Sequence, residues 1–387
     1  MARTNASRLL WGFVAGAILG CCWLIGDSLL GPSASFVLVP LVARQDKWLG
    51  RFVMALGYYA AGSAPVAAAV IGYWGAGYTM LGVAAWLGSS LVLSAPWAVA
   101  ARWPGVLAAL ELTALPPLGV IGWLSPLNAA GVLFPGLGWI GLCLLCFGFA
   151  AIYCRAHGSQ VAILTAVGIV SIACNLAYVE PPPPAGWMGI DTRLAPSRGD
   201  PFMAIQNNRQ GINAGITLGS GARVIVFPEA ILDDWYPGTQ QQFGMAAPSD
   251  QVWILGADTD STDAVVRVSL GHADAEPVAR SAGLILGGNW LPWSNQGLRP
   301  AWWQRAFVIE GRRVWAALCV EQLQPWTWLE AMSQRPEVVL AMSNSWWARG
   351  TGTISQRAGA AGLTIERASS RAWARLMQVP VVWGENR

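Results

Sequence analysis

The sequence is nearly devoid of lysine: Lys47 is the only one among 24 basic residues. Histidine is almost as scarce, with only His157 and His272. Of the seven cysteines, six (Cys21, Cys22, Cys143, Cys146, Cys154 and Cys174) lie in apolar runs, leaving Cys319 alone in the polar part of the chain. These shortages exclude several classes. A lone cysteine forms no internal disulfide. Two distant histidines, with no Cys-x-x-Cys beside them, give little material for a zinc site or a Ser-His-Asp triad. No metal or cofactor is expected. Charged residues make up 12% of the chain, against about 25% in soluble domains. The net charge of +3 is too small to predict contact with nucleic acid.

Apolar residues fill the space left by charge, at 54% of the chain, and they are unevenly placed. Residues 1–178 form a multi-span membrane domain in this reading, 179–185 a proline-rich linker, and 186–387 a water-soluble domain. Apolar segments at 9–29, 33–43, 52–73, 78–100, 105–125, 130–153 and 158–178 give about seven spans, judged against the ~20 residues a bilayer requires. With the N-terminus inside, Arg3, Arg8, Arg44, Lys47, Arg51, Arg102 and Arg155 all fall at cytoplasmic ends, as positive charge does. The second half then lies outside the inner membrane, in a bacterial periplasm. Tryptophans such as Trp11, Trp48, Trp74, Trp103 and Trp123 flank the spans like interfacial aromatics. Glu111 falls within a span and is expected to face the bundle interior.

The second half alternates strand-like and helix-like segments, which predicts a layered α/β domain. Strands are predicted at 188–191, 222–229, 252–256, 264–268, 314–318, 338–346 and 379–383, and helices at 203–219, 326–333 and 355–376. Three strands end in polar residues: Glu229, then Cys319 with Glu321, then Ser343-Asn344-Ser345. Sites in α/β sheets form at the carboxyl ends of strands. A carboxylate there can take the proton of a thiol and later hand it to a leaving amine.

Phe227-Pro228-Glu229, Leu318-Cys319-Val320-Glu321 and Ser343-Asn344-Ser345-Trp346-Trp347 resemble the signatures of the nitrilase superfamily, in order and spacing. A multi-span half joined to such a domain is similar to apolipoprotein N-acyltransferase. Segments such as Pro116 to Trp123, Ser125 to Leu127 and Phe134 to Gly136 resemble TraB-type conjugal-transfer proteins more closely. The resemblance implies a nitrilase-like α-β-β-α sandwich. It also implies Cys319 as a nucleophile carrying an acyl thioester, Glu229 as general base, and the backbone N–H after Cys319 as an oxyanion donor. The superfamily's lysine has no counterpart here. Arg280 is the cation nearest its place, and Asn289, beside Trp290, stands where the acyltransferase has a second glutamate. Arginine stays charged but shuttles no proton. Asn289, Trp290, Asn344 and Trp346 are the expected substrate contacts; a membrane lipid, a pilin-like peptide and proteins of a conjugation apparatus are the expected partners.

Two functions follow. One is an enzyme, a membrane-anchored acyltransferase or amidase acting through Cys319. The other is a catalytically silent scaffold of a conjugation or secretion apparatus. Retention of Glu229 and Cys319 favours the first, and loss of the lysine the second.

Overall fold

The computed structural model describes residues 2–387, apart from 27, 154–156, 198, 233, 260–261, 284–296 and 347–352. The chain divides into two compact units. The first comprises 1–180, 323–328 and 350–378; the second comprises 181–322, 329–349 and 379–387.

The first unit is helical: α1 (Ala2–Cys21), α2 (Leu30–Ala43), α3 (Trp48–Gly62), α4 (Pro65–Trp74), α5 (Thr79–Ser94), α6 (Trp103–Ala114), α7 (Ala129–Leu133), α8 (Gly138–Ala151) and α9 (His157–Ala177). Among the described residues three helical stretches are long and apolar enough to cross a bilayer: Ala6–Leu24, Ala76–Val99 and Gly158–Ala177. Two bent pairs raise the number to as many as five: α3 with α4, bent by 43°, and Pro126–Leu133 with Gly138–Ala151, bent by 116°. The sequence reading of about seven spans is therefore not reproduced span for span. The 33–43 segment lies in α2, which has 14 residues. The 105–125 segment yields only the 12 residues of α6, because Leu115 turns extended before Pro116-Pro117 and the two prolines supply no N–H.

Glu111 does not face the interior. Val106, Ala109, Leu110 and Thr113 form the buried side of α6, and the helical phase places Glu111 on the exposed side. Glycine lets α1 and α3 approach backbone to backbone. A methyl on Gly16 would strike the Met54 carbonyl, and one on Gly57 the Phe13 carbonyl. Trp23 Nε1 donates to the Tyr58 hydroxyl at 2.8 Å, which in turn donates to the Leu124 carbonyl at 2.8 Å.

Among the described residues the second unit carries α10 (Pro201–Leu218), α11 (Pro237–Ala246) and eleven strands. These are β1 (Trp187–Gly189), β2 (Asp191–Thr192), β3 (Val224–Val226), β4 (Val252–Thr259), β5 (Thr262–Ser269), β6 (His272–Ala273), β7 (Ala279–Arg280), β8 (Phe307–Ile309), β9 (Arg312–Leu318), β10 (Val338–Asn344) and β11 (Val381–Asn386). One sheet runs β1-β3-β4-β5-β6, with β7 paired to β5; the other runs β2-β11-β10-β9-β8. Val224, Val226, Ile254 and Val265 of the first sheet share a core with Val314, Ala316, Leu340 and Val382 of the second. The sheets thus pack face to face. The outer face of the first, with Ile225, Phe227, Trp253 and Val266, buries Phe243 of α11 and Ile212 of α10.

α12 (Pro325–Gln334) crosses the boundary between the units, and α13 (Thr353–Met377) belongs to the first. Within that unit Ser369 Oγ donates to Asn128 Oδ1 at 3.0 Å, and a methyl on Gly131 would strike the Ala372 carbonyl. The compact units are therefore not the two contiguous stretches of the linear reading. α11, β6, β7 and β8 go beyond the sequence reading. α11 (Pro-Gly-Thr-Gln-Gln-Gln-Phe-Gly-Met-Ala) has one buried aromatic and no apolar period to announce it.

Candidate functional site

β3, β9 and β10 are parallel members of their sheets, and their carboxyl ends carry the polar residues singled out above. β9 runs apolar from Val314 to Leu318 and stops at Cys319, where a short 3-10 helix, Cys319–Leu323, begins. Cys319 has φ +38°, in the left-handed region. A β-substituted residue is held there at a cost of about 1–2 kcal/mol. Its side chain is half-buried.

The elbow is braced by its own glutamate. Glu321 is fully buried, at 0% exposure. Its Oε1 accepts from Ser281 Oγ at 2.8 Å and from the Gly283 N–H at 2.9 Å. Its Oε2 accepts from the Leu318 N–H at 3.0 Å. One carboxylate thus ties the end of β9 to the segment after β7. Burial pushes its pKa up, and the Gly283, Leu318 and Ser281 donors pull it back. Gln322, also buried, donates from Nε2 to Ser343 Oγ at 2.7 Å and to the Met342 carbonyl at 3.3 Å, joining the elbow to β10.

Glu229 comes from the other sheet. β3 ends at Val226, and Phe227-Pro228-Glu229 leads into Ala230 with φ +42°. The turn is fixed by contact and by hydrogen bonds. Gly256 of β4 lies directly beneath it: a methyl there would strike the Glu229 Cα and sit 2.6 Å from the Pro228 carbonyl. A methyl on Gly384 of β11 would lie 2.6 Å from the Phe227 carbonyl. Asn344 donates from Nδ2 to the Glu229 carbonyl at 3.0 Å and the Ala230 carbonyl at 3.2 Å. Its Oδ1 accepts from Asn386 Nδ2 at 2.8 Å. Asn344 is thereby occupied in holding the Glu229 turn to β10, and the Trp346 N–H lies 3.4 Å from the same Oδ1.

The structure thus brings Glu229, Cys319, Glu321, Ser343 and Asn344 to the strand ends of one unit. Arg280 is not among them. It is the last residue of β7, half-exposed, and its guanidinium pairs with Glu276 at 3.0 Å. The strand alternation that buries Ala279 and Ser281 turns Arg280 outward. Asn289, Trp290 and Trp347 lie outside the described residues.

One residue of the cluster escapes a reading of the sequence. Asp263, 1% exposed, lies on β5 two residues before Val265, and so on the face of the first sheet that meets the second. Neither of its carboxyl oxygens has a hydrogen-bond partner among the described residues, and Glu229, whose charge acts on it, is itself 5% exposed. Burial raises the Asp263 pKa well above the carboxylate range. The charges of Glu229 and Glu321 add to this, while the Ala264 amide opposes. The signal for Asp263 is an acid at an inward position of an apolar strand. It is missed when the strand is begun one residue later, at Ala264. Among the described residues no three His, Cys, Asp or Glu side chains gather to hold a metal ion.

No protein-family model matches the chain. It is 30% identical over 291 residues, 72% of either chain, to a probable conjugal transfer protein TraB of Sinorhizobium fredii. It is 29% identical over 394 aligned residues, 93% of this chain and 89% of the other, to the conjugal transfer protein TraB of Agrobacterium fabrum.

Proposed function

The chain belongs to the family of TraB conjugal transfer proteins, and from that premise we propose that it serves conjugal transfer as an inner-membrane protein whose nitrilase-like α/β domain transfers an acyl group through Cys319. The observation that carries this reading is that two separately braced loops are both tied to the end of β10, one through Asn344 and the other through Ser343. Glu229 is fixed by Asn344 and Gly256, and the Cys319 elbow by Glu321 and Gln322. Pre-set geometry of this kind is what a nucleophile and its base require.

In the proposed cycle Glu229 accepts the Cys319 proton, and the sulfur attacks an acyl carbonyl. The N–H after Cys319 receives the developing oxyanion. The proton then goes to the leaving group, and an acceptor takes the acyl group from the thioester. The acyl donor is a membrane phospholipid or a carbonyl of a pilin-like peptide. We place the α/β domain of residues 186–387 in the periplasm, behind the 179–185 linker and a multi-pass membrane domain that begins in the cytoplasm. Cys319, Glu229 and Glu321 remain its proposed catalytic group, with Arg280 recruited only if it leaves Glu276. Asn289, Trp290 and Trp346 are its proposed substrate contacts.

The test is mass spectrometry of the Cys319 peptide from acid-quenched membranes of cells expressing the conjugation apparatus. A hydroxylamine-labile adduct on Cys319 is expected. A free thiol throughout, in the wild type and in Glu229→Gln alike, overturns the enzyme. A second reading, a silent scaffold, is favoured by the pairing of Arg280 with Glu276 and by the lack of any lysine beyond Lys47. It expects the free thiol and normal transfer with Cys319→Ala.

A further inference from the structure

At the amino ends of β1, β3 and β9 lies a cavity of about 330 Å³, lined by Pro184, Ala185, Trp187, Arg223, Glu310 and Arg312. Trp187 opens β1, Arg223 precedes Val224 of β3, and Arg312 opens β9. Cys319 follows the other end of β9, seven residues on and about 23 Å away by the rise of a strand. The acceptors around the cavity are already engaged. The Pro184 carbonyl accepts from the Trp187 N–H at 3.0 Å, and the Ala185 carbonyl from Arg223 Nη2 at 3.1 Å. Glu310 is the only carboxylate in the lining. Its Oε2 accepts from Trp187 Nε1 at 3.0 Å and pairs with Arg223 Nη2 at 3.4 Å. Arg223 and Glu310 thus offset each other. Arg312 remains: it is exposed, and its guanidinium has no ion pair or hydrogen bond among the described residues.

The lining therefore carries one uncompensated positive charge, on a planar fork of uncommitted N–H donors that suits an oxyanion. A divalent cation would find a single carboxylate, already occupied. The place of the cavity in the chain narrows the anion further. Pro184 stands seven residues beyond Ala177, where α9 ends. α9 is long and apolar enough to cross a bilayer. Seven residues reach at most about 25 Å, and the prolines at 181–184 stiffen the connection. On so short a tether the cavity stays near lipid headgroups, where phosphate is concentrated.

We propose that this cavity binds the phosphate of an anionic membrane phospholipid, with Arg312 as its main partner and Arg223 as the second cation, and so fastens the second unit to the lipid surface. The site does not depend on the acyl-transfer reading. The ester carbonyls of a phospholipid lie only a few bonds from its phosphate, far short of Cys319, so a lipid held here is an anchor and not the acyl donor.

The experiment is native mass spectrometry of the full-length protein in detergent, titrated with phosphatidylglycerol. The wild type is expected to retain a tightly bound lipid. Arg312 is exposed and unbonded, so Arg312→Gln is expected to fold and to weaken this binding about tenfold, as the loss of a charge-assisted pair does. Arg312→Lys, which keeps the charge but not the fork, is expected to fall between the two. Arg209→Gln, at an exposed position of α10 outside the cavity, is expected to bind as the wild type does. Equal binding by the wild type and Arg312→Gln, or an equal loss in Arg209→Gln, overturns the proposal. So does equal retention of phosphatidylcholine, whose phosphate is offset by its own trimethylammonium. Inorganic phosphate at the concentration of the lipid is expected to leave the lipid bound; its release would assign the site to the free anion and overturn the anchor.

Discussion

Glu321→Ala is expected to loosen the elbow severely. The side chain has no exposure, and its loss strands three buried donors: Ser281 Oγ, the Gly283 N–H and the Leu318 N–H. A buried donor left unsatisfied costs about 1–3 kcal/mol. Relief of the desolvation that raises the Glu321 pKa offsets part of the sum, so the net loss is roughly 3–5 kcal/mol. In a unit of this size that lowers the melting temperature on the order of 10 °C. Glu321→Gln keeps the Ser281 and Gly283 bonds but turns its NH2 toward the Leu318 N–H. It forfeits one charge-assisted bond, about 1–3 kcal/mol. The assay is thermal unfolding in detergent followed by tryptophan fluorescence, with alkylation of Cys319 as a local reporter. The ordering wild type, Glu321→Gln, Glu321→Ala is expected, with faster alkylation of Cys319 as the elbow opens. A melting temperature within about 1 °C of wild type for Glu321→Ala, with unchanged Cys319 reactivity, would refute the brace.

Gly256→Ala should destabilise the second unit by about 1–3 kcal/mol, because its methyl enters the backbone of the Glu229 turn; thermal unfolding checks this. At Cys319, with φ +38°, glycine should exceed alanine in stability by about 1 kcal/mol, read from the two melting curves side by side. Burial first, and then the charge of Glu321, holds Glu330 up at about 7 against an ordinary 4.5, despite the Gln304 amide. The sign follows from the raised value: the folded state binds this proton more tightly than the unfolded chain. Its contribution to stability is complete below pH 4.5 and is lost as pH rises through about 7. Glu330→Gln should remove that component and flatten the stability difference over this window, as measured by denaturation at a series of pH values.

Much of the second unit was legible because its strands are apolar runs ended by polar residues, from Val224 through Val339 to Val382. The strand ends at Glu229, Cys319 and Asn344 could therefore be named in advance. What escaped was set by tertiary contact. Asp263 is one polar residue near a strand start, and only packing shows that it is buried, with the charge of Glu229 acting on it. Gly256 and Gly384 matter for what lies above them, which no local pattern reports. Arg280 was nearest in sequence to the place where the resemblance expects a lysine, but alternation along β7 turned it to Glu276. In the first unit composition alone marked the apolar helices. Prolines at 116 and 117 and the bends after Gly62 and Leu133 then broke some of the inferred spans. α13 clusters with the first unit although it lies deep in the polar half of the sequence, a consequence of packing on α7 rather than of order along the chain.

The most direct measurement is the plasmid-transfer frequency of a donor strain whose only copy carries Cys319→Ala, with membrane levels matched by immunoblot. The thioester account expects transfer to fall at least about a hundredfold, with a comparable loss for Glu229→Ala. Wild-type transfer from the Cys319→Ala donor would contradict it.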